Sequence, residues 1–130
     1  MHVLVCDDDK GARIVIRSLL ERQLNCTVQE CVNGAEALVM LEGTAFDIAI
    51  IDINMPLLDG VAVVRAVRGS SRLRDLKIVM MTSDCREEVV INLVQLGVCE
   101  FIAKPFVRQT TLPKLERVMT LVASSQGDVS

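Results

Sequence analysis

Short strand-like runs alternate with longer amphipathic segments along the chain, and this alternation restricts the folds that are open to it. Five times, a run of four to six residues is followed by a segment whose apolar side chains recur at helical spacing. The predicted strands are Val3–Cys6, Cys26–Cys31, Phe46–Ile51, Ile78–Met81 and Cys99–Ala103. The predicted helices are Ala12–Gln23, Ala35–Leu41, Val61–Val67, a segment from a predicted N-cap at Asp84 to Leu96, and Thr110–Ala123.

Strict alternation of strand and helix predicts a parallel sheet, because parallel strands need crossover connections and helices supply them. The fold class is therefore α/β, a doubly wound (βα)5 arrangement whose five-stranded sheet is covered on both faces. In such sheets, ligands bind beyond the carboxyl ends of the strands. The residues that follow the strands are thus the first candidates for a functional site.

Length and composition exclude several classes of protein. The 130 residues suit one domain, which we place at residues 1–123, with a polar tail or the start of a linker at 124–130. A hydrophobic fraction of 51% is too high for intrinsic disorder, and no apolar run reaches the roughly 18 residues of a membrane span. A strand that begins at Val3 leaves no room for a secretion signal, so we expect a cytoplasmic location.

Net charge, aromatic content and cysteine content exclude further kinds of function. A net charge of −3, three Phe and no Trp or Tyr argue against direct nucleic-acid binding, which relies on clustered cations and stacking aromatics. The five cysteines are odd in number and contain no C-x-x-C pair, and His2 is the only histidine. We therefore expect reduced, mostly buried cysteines and no zinc site.

Polar and charged residues follow four of the five predicted strands. They are Asp7, Asp8 and Asp9 after the first strand, Asp52 after the third, Thr82 and Ser83 after the fourth, and Lys104 after the fifth. The fold would gather them at one edge, where clustered carboxylates repel one another until protons or a cation neutralise them. Oxygen ligands in a partly open cleft suit Mg²⁺. Any single Asp of the set is equally compatible with a solvated loop or a helix cap, so only the combination indicates a functional site.

These strand-end motifs resemble the receiver domains of two-component response regulators, with a chemotaxis-regulator-like pattern. The matching blocks are V-L-V-C-D-D-D at 3–9, D-I-N-M-P at 52–56 with D-G at 59–60, M-T-S at 81–83 and K-P-F at 104–106. The resemblance covers about residues 2–122. It implies a flavodoxin-like sheet with strand order 2-1-3-4-5.

The resemblance implies a phosphorylation switch and a role for each site residue. Asp52 would be the phosphoacceptor, taking a phosphoryl group from a sensor histidine kinase or a histidine phosphotransfer protein. Asp8 and Asp52 would bind Mg²⁺ directly, Asp7 directly or through water, and Asn54 through its backbone carbonyl. Lys104 would pair with Asp52 at rest and with a phosphoryl oxygen afterwards.

The same resemblance implies how phosphorylation changes the domain. Thr82 would donate its hydroxyl to the phosphoryl group and move inward, and Phe101 would follow it. Alternatively, Phe101 is an ordinary strand residue that takes no part in the switch. The Lys104–Pro105 peptide bond is expected to be cis.

Three polar residues near the site affect how long the aspartyl phosphate lasts and how easily other molecules reach its phosphoryl group. Asn54 and Asp84 would orient an attacking water, which predicts a lifetime of seconds to minutes for the aspartyl phosphate. Ser83 would restrict access to the phosphoryl group. For Asp9, a solvent-facing charge is favoured over a metal contact.

A wide apolar arc on the fourth predicted helix indicates an output surface. The apolar residues are Val89, Val90, Ile91, Leu93, Val94 and Leu96. With Phe101 and the last helix, they outline the face of fourth helix, fifth strand and fifth helix that receivers use for output domains, partner proteins or a homodimer. A helix that is buried on all sides would have the same composition, and this alternative stays open.

Two other functions are compatible with parts of the pattern. Asp7 and Asp9 form the Asp-x-Asp start of haloacid-dehalogenase-like phosphatases, but Gly11 stands where Thr or Val is expected and the cap region is missing. A receiver-like scaffold that works without phosphorylation has little support while all the expected site residues are present. We therefore predict a signalling domain that catalyses only its own phosphorylation and dephosphorylation, without binding to nucleic acid or membrane.

Overall fold

The computed structural model describes residues 1–83 and 86–127 of the chain. Its strands are β1 (His2–Cys6), β2 (Thr27–Cys31), β3 (Ile48–Asp52), β4 (Lys77–Thr82) and β5 (Glu100–Ala103). Its helices are α1 (Lys10–Ser18, continued by a π-helical segment at Leu19–Gln23), α2 (Gly34–Gly43), α3 (Gly60–Gly69), α4 (Glu87–Gln95) and α5 (Arg108–Gly127). Strands and helices therefore alternate as predicted.

The described strands form one parallel sheet in the order β2-β1-β3-β4-β5. This confirms the predicted doubly wound fold and its strand order. The register pairs Cys6 of β1 with Ile51 of β3, and Thr82 of β4 with Ala103 of β5. Because all strands run in the same direction, the residues that follow these pairs emerge at one edge of the sheet.

Each face of the sheet packs against its own group of helices. Leu4 and Cys6 of β1 pack with buried residues of α2, α3 and α4, whereas Val3 and Val5 pack with residues of α1 and α5. This alternation follows the two-residue period of a strand. Strand β3, in the centre of the sheet, is buried along its whole length, so its last residue, Asp52, is a charged group held at the border of the core.

The ends of strands and helices are where the structure and the sequence prediction differ. Asp52 and Thr82, predicted to follow their strands, are the last residues of β3 and β4. Helix α1 begins at Lys10, and α5 runs from Arg108 to Gly127, so four residues of the predicted polar tail are helical. The predicted cap Asp84 lies outside the described residues, and α4 begins at Glu87. Helix ends depend on local hydrogen bonds, which apolar periodicity does not report. The domain boundary at residue 123 stays a prediction.

The described cysteines are free thiols. Cys6, Cys26 and Cys31 are buried and Cys99 is half-buried, while Cys85 lies outside the described residues. This agrees with the prediction of reduced, mostly buried side chains. Among residues 1–83 and 86–127, no helix combines the length and apolar character needed to cross a membrane. The predicted location stays a prediction.

Candidate functional site

Three aspartates meet at the carboxyl edge of the sheet. Asp7 follows β1, Asp8 comes next in the loop, and Asp52 ends β3. Because Cys6 pairs with Ile51, the residues after this pair, Asp7 and Asp52, lie side by side. One carboxylate oxygen from each aspartate lies within 4.8 Å of the other two. Asp7 and Asp52 are buried and Asp8 is exposed, so the cluster is open to solvent on one side.

Lys104 reaches the two buried aspartates from the end of β5. Its Nζ lies 2.6 Å from Oδ2 of Asp7 and 3.3 Å from Oδ2 of Asp52. The backbone N–H of Lys104 donates to the carbonyl oxygen of Thr82 at 2.8 Å, and the peptide bond to Pro105 is cis, as predicted. The predicted pair with Asp52 is therefore present, and a closer contact with Asp7 accompanies it.

The two carboxylate oxygens of Asp7 have different surroundings. Oδ1 accepts a hydrogen bond from the N–H of Asp9 at 2.9 Å, and the N–H of Asp7 itself donates to the carbonyl oxygen of Cys31 at 3.2 Å. Oδ2 is buried and lies 2.6 Å from the Lys104 ammonium, with no other hydrogen-bond partner among the described residues. Asp7 thus keeps one oxygen with unused acceptor capacity inside the site.

Gly60 allows the loop after β3 to close against Asp52. Its N–H donates to the carbonyl oxygen of Ile53 at 2.9 Å, and a Cβ at this position would lie 2.3 Å from the carbonyl oxygen of Asp52. Glycine, which has no Cβ, fits this approach without displacing the Asp52 backbone. Asp59 caps the helix that follows by accepting from the N–H of Ala62 at 2.9 Å. Asp59 and Gly60 therefore fix the end of the loop that connects β3 to α3.

Burial and neighbouring charges change the ionisation of the site. Burial and, after it, the charge of Asp7 raise the pKa of Asp52, Lys104 opposes both effects, and the resulting pKa is about 6. Burial alone would lower the pKa of Lys104, but the contact with Asp7 and the charge of Asp52 outweigh burial, so this pKa lies above its ordinary value. Near neutral pH, Asp52 is largely ionised and Lys104 is cationic.

Thr82 is the last residue of β4. Its Oγ1 is buried and has no hydrogen-bond partner in the part of the chain that the structure describes. Because Asp52 pairs with Met81, Thr82 lies one residue beyond that pair on the neighbouring strand. Ser83, the next residue, is exposed. Phe101 is half-buried on β5 and packs against the core on the side of α2, α3 and α4.

The aspartate cluster fits a hard divalent cation. Its three members offer carboxylate oxygens in a partly open cleft, which is the ligand set that suits Mg²⁺. Two of them, Asp7 and Asp52, are buried side by side and share Lys104, so a further positive charge would relieve their repulsion. Oδ2 of Asp7 accepts no described hydrogen bond beside its ion pair with Lys104, so a lone pair remains for such an ion or for a water bound to it.

The other predicted site residues lie at the margin of the cluster or beyond the described part of the chain. Asp9 is exposed and caps α1 by accepting from the N–H of Gly11 at 3.0 Å, which agrees with a solvent-facing charge. Asn54 is exposed, and its N–H lies 3.4 Å from Oδ1 of Asp52. Asp84 lies outside the described residues.

Sequence reasoning missed Arg13. Its Nη1 donates to the carbonyl oxygen of Asp7 at 2.7 Å, from a position six residues further along the chain. A cation at the start of an amphipathic helix is read as an exposed charge, and bonds from side chains to backbone carbonyls have no signature in residue spacing. Only the fold shows that Arg13 belongs to the surroundings of the site.

Residues 3–116 match the family model described as response regulator receiver domain. The chain belongs to this family. Chemotaxis protein CheY of Pseudomonas aeruginosa is 36% identical to this receiver over 123 residues, which cover 94% of this chain and 98% of CheY. The resemblance that the strand-end motifs indicate is therefore confirmed, including its chemotaxis-regulator-like character.

Solved receiver structures share the fold over nearly the whole chain. The chemotaxis response regulator CheY4 of Vibrio cholerae has a TM-score of 0.82 at 32% identity, over 90% of this chain and 97% of CheY4. The receiver domain of the sensor histidine kinase PA1611 from Pseudomonas aeruginosa has a TM-score of 0.80 at 27% identity, over 92% and 97% of the two chains. That structure has a magnesium ion coordinated in its active-site cleft.

Proposed function

We propose that this receiver accepts a phosphoryl group on Asp52 from a phosphohistidine of a sensor histidine kinase or a histidine phosphotransfer protein, in an Mg²⁺-dependent reaction. The observation that carries the proposal is the setting of the Asp52 carboxylate. It is buried beside Asp7, in contact with the Lys104 ammonium, at the open carboxyl edge of the sheet. A carboxylate in this setting can act as a nucleophile toward phosphorus.

Asp52 performs the covalent step. With a pKa of about 6 it is largely ionised at neutral pH, so no separate base is needed. One carboxylate oxygen forms a bond to phosphorus while the phosphorus–nitrogen bond to the donor imidazole breaks. The electron pair of the broken bond stays on the nitrogen, which takes up a proton, and the receiver is left with an aspartyl phosphate.

The aspartate cluster would hold the Mg²⁺ ion. Asp8 and Asp52 would bind it directly, Asp7 directly or through water, and Asn54 through its backbone carbonyl. When bound, the ion offsets the repulsion between an anionic nucleophile and an anionic phosphoryl group. Lys104, already in contact with Asp52, is placed to exchange this contact for a phosphoryl oxygen.

The switch would begin at Thr82 and end at the surface formed by α4, β5 and α5. The Thr82 hydroxyl, which has no hydrogen-bond partner among the described residues, can donate to the phosphoryl group. Its movement would make room for Phe101 to turn inward. Helix α4 exposes Ile91 and Val94 by 51% and 55%, which agrees with the predicted partly exposed patch. This patch offers apolar contact area to an output domain, a partner protein or a second receiver. With a net charge of −3, direct binding to nucleic acid is not expected.

The surroundings of Asp7 argue against the phosphatase alternative. Its side chain is fully buried, Oδ2 lies 2.6 Å from the Lys104 ammonium, and Oδ1 accepts a hydrogen bond from the N–H of Asp9 at 2.9 Å, so each oxygen already contacts a donor. The scaffold alternative requires no contact between Lys104 and Asp52, and it gives no reason for a buried hydroxyl without a described partner at Thr82. Both features have a use in a phosphoacceptor.

Phosphotransfer from a protein donor tests the proposal. A radiolabelled phosphohistidine protein, mixed with the receiver and Mg²⁺, is expected to label Asp52, and borohydride reduction followed by peptide mass spectrometry locates the labelled residue. The label should decay within seconds to minutes, since the exposed Asn54 lies beside Asp52 and would orient water there. Label on Asp7 with repeated turnover of a phosphate ester would favour a phosphatase, and persistence of label for a day would contradict the expected lifetime.

A further inference from the structure

The Arg13 guanidinium connects β2 to the turn that carries the first two aspartates. Its Nη1 donates to the carbonyl oxygen of Asp7 at 2.7 Å, and its Nε donates to Oε1 of Glu30 at 3.0 Å. The Arg13 side chain is only 14% exposed and that of Glu30 28%, so the pair is largely shielded from solvent. A shielded, charge-assisted hydrogen bond of this kind holds its groups more firmly than an exposed one.

Both backbone polar groups of Asp7 are thereby anchored. The N–H donates to the carbonyl oxygen of Cys31 on β2, and the carbonyl oxygen accepts from Arg13. Glu30, which holds Arg13, is the residue before Cys31 on the same strand. The two anchors of Asp7 therefore start from adjacent residues of β2.

The anchored carbonyl oxygen lies in the peptide plane that leads into Asp8. A peptide unit is planar, so a bond to the carbonyl oxygen of Asp7 also fixes the direction of the N–H of Asp8. Asp7 and Asp8 carry adjacent negative charges close to Asp52, and their repulsion favours rotation of this peptide away from the cluster. The Arg13 bond opposes that rotation.

From these contacts we infer that Arg13 is a positioning residue, which holds the Asp7–Asp8 turn in the geometry that binds a divalent cation. The inference rests on the proposed function, because it concerns the cation site of the same phosphoacceptor. In this role Arg13 would act through the backbone of Asp7, to which it donates, and not as a ligand of the cation. Loss of such an outer contact typically weakens metal affinity by about 10–100-fold.

Arg17 supplies a matched control on the same helix. It also pairs with Glu30, and its Nε contacts Oε1 of Glu21 at 3.1 Å, but it makes no described contact with Asp7. Replacement of either arginine removes a partner of Glu30, whereas only replacement of Arg13 releases the Asp7 carbonyl. A difference between the two variants therefore reports on the turn and not on the ion pair.

The test is Mg²⁺ titration by calorimetry, since the chain has no Trp or Tyr to report binding by fluorescence. The Mg²⁺ dissociation constant of Arg13→Gln should rise by about tenfold. That of Arg17→Gln should stay within about twofold of the unsubstituted receiver. Arg13→Lys keeps one donor, and its Mg²⁺ dissociation constant should lie between those of Arg13→Gln and Arg17→Gln. Amide NMR spectra of the metal-free proteins should show a shift of the Asp8 resonance in Arg13→Gln and not in Arg17→Gln.

Three outcomes separate the inference from the function on which it rests. Equal Mg²⁺ affinity in Arg13→Gln and the unsubstituted receiver would overturn the role of Arg13 and leave the phosphoacceptor proposal intact. Failure of the unsubstituted receiver to bind Mg²⁺ would overturn both. Should Arg13→Gln not fold, Arg13→Lys replaces it, and an affinity equal to that of the unsubstituted receiver would again overturn the role of Arg13.

Discussion

Lys104 Nζ lies 3.3 Å from Oδ2 of Asp52, although the two residues are 52 positions apart in the chain. Asp52 ends β3 and Lys104 follows β5, and β4 lies between these strands in the sheet. The Lys104 side chain therefore passes across the carboxyl end of β4 to reach Asp52. Its ammonium group also lies 2.6 Å from Asp7, which follows β1 on the other side of β3. One ammonium group serves as the counter-ion of two buried carboxylates that come from different strands.

Removal of this counter-ion should destabilise the metal-free receiver. Lys104→Met leaves Asp7 and Asp52 buried without their cation, and we expect the free energy of unfolding in EDTA to fall by about 2–4 kcal/mol. Saturating Mg²⁺ should reduce the deficit, because the ion replaces the missing positive charge. Urea titrations with and without Mg²⁺ measure both values, with Lys77→Met at the opposite edge of the sheet as the control. If Lys104→Met loses the same free energy of unfolding in EDTA and in Mg²⁺, the metal does not replace the positive charge of Lys104.

The raised pKa of Asp52 predicts a pH dependence of stability in the metal-free receiver. Because this pKa is about 6 in the folded chain and near 3.8 ordinarily, the folded state binds more protons than the unfolded state between these two values. Stability contributed by the protonated carboxyl is therefore present at low pH and is lost as pH rises through about 6. Asp52→Asn does not titrate, so its stability relative to the unsubstituted receiver should rise over this range by about 1–3 kcal/mol and then level off.

Urea titrations of both proteins in EDTA, at intervals between about pH 4.5 and 8, follow this difference. Effects of other titrating groups cancel to the extent that they are the same in both proteins. A difference that stays constant with pH would mean that Asp52 has an ordinary pKa.

Gly60 and Gly69, the first and last residues of α3, should respond oppositely to alanine. A Cβ at Gly60 would lie 2.3 Å from the Asp52 carbonyl oxygen, so Gly60→Ala must displace the loop and should lower the free energy of unfolding by about 1–3 kcal/mol. At Gly69 nothing lies within 4 Å of the added methyl, and Gly69→Ala should be neutral or stabilising by up to about 1 kcal/mol. Thermal unfolding measures the stability of both variants. Gly60→Ala should also weaken Mg²⁺ binding. Equal effects at the two sites would show that the close approach at Gly60 is not maintained.

The Thr82 hydroxyl should matter only after phosphorylation. Thr82→Val keeps the shape of the side chain and removes a buried hydroxyl that has no partner among the described residues, so resting stability should change by less than about 1 kcal/mol. Beryllofluoride, which mimics the phosphoryl group, should raise the melting temperature less in Thr82→Val than in the unsubstituted receiver. Thr82→Ser, which keeps the hydroxyl, should retain the full gain. A full gain in Thr82→Val would remove Thr82 from the switch.

The fold class and the main site residues could be predicted because both follow from the alternation of strands and helices. When strands and helices alternate, the carboxyl ends of the strands lie at one edge of the sheet, so Asp7, Asp52 and Lys104 are expected at the same edge. The strand order that brings Lys104 close to Asp52 is implied by the resemblance of the strand-end motifs to receiver domains. The contact between Lys104 and Asp7 is closer than that with Asp52, and this could not be predicted because it depends on side-chain paths over a few ångströms. The bond from Arg13 to the backbone was missed for the same reason.

The central claim is that Asp52 is the residue that becomes phosphorylated. Intact-mass spectrometry after incubation with acetyl phosphate and Mg²⁺ tests it most directly, with Asp59→Asn as the control because Asp59 is an exposed cap of α3 in the same loop. The receiver and Asp59→Asn should each gain the mass of one phosphoryl group, and the gain should disappear in EDTA and in Asp52→Asn. An equal gain in Asp52→Asn, or no gain in the unsubstituted receiver, would contradict the account.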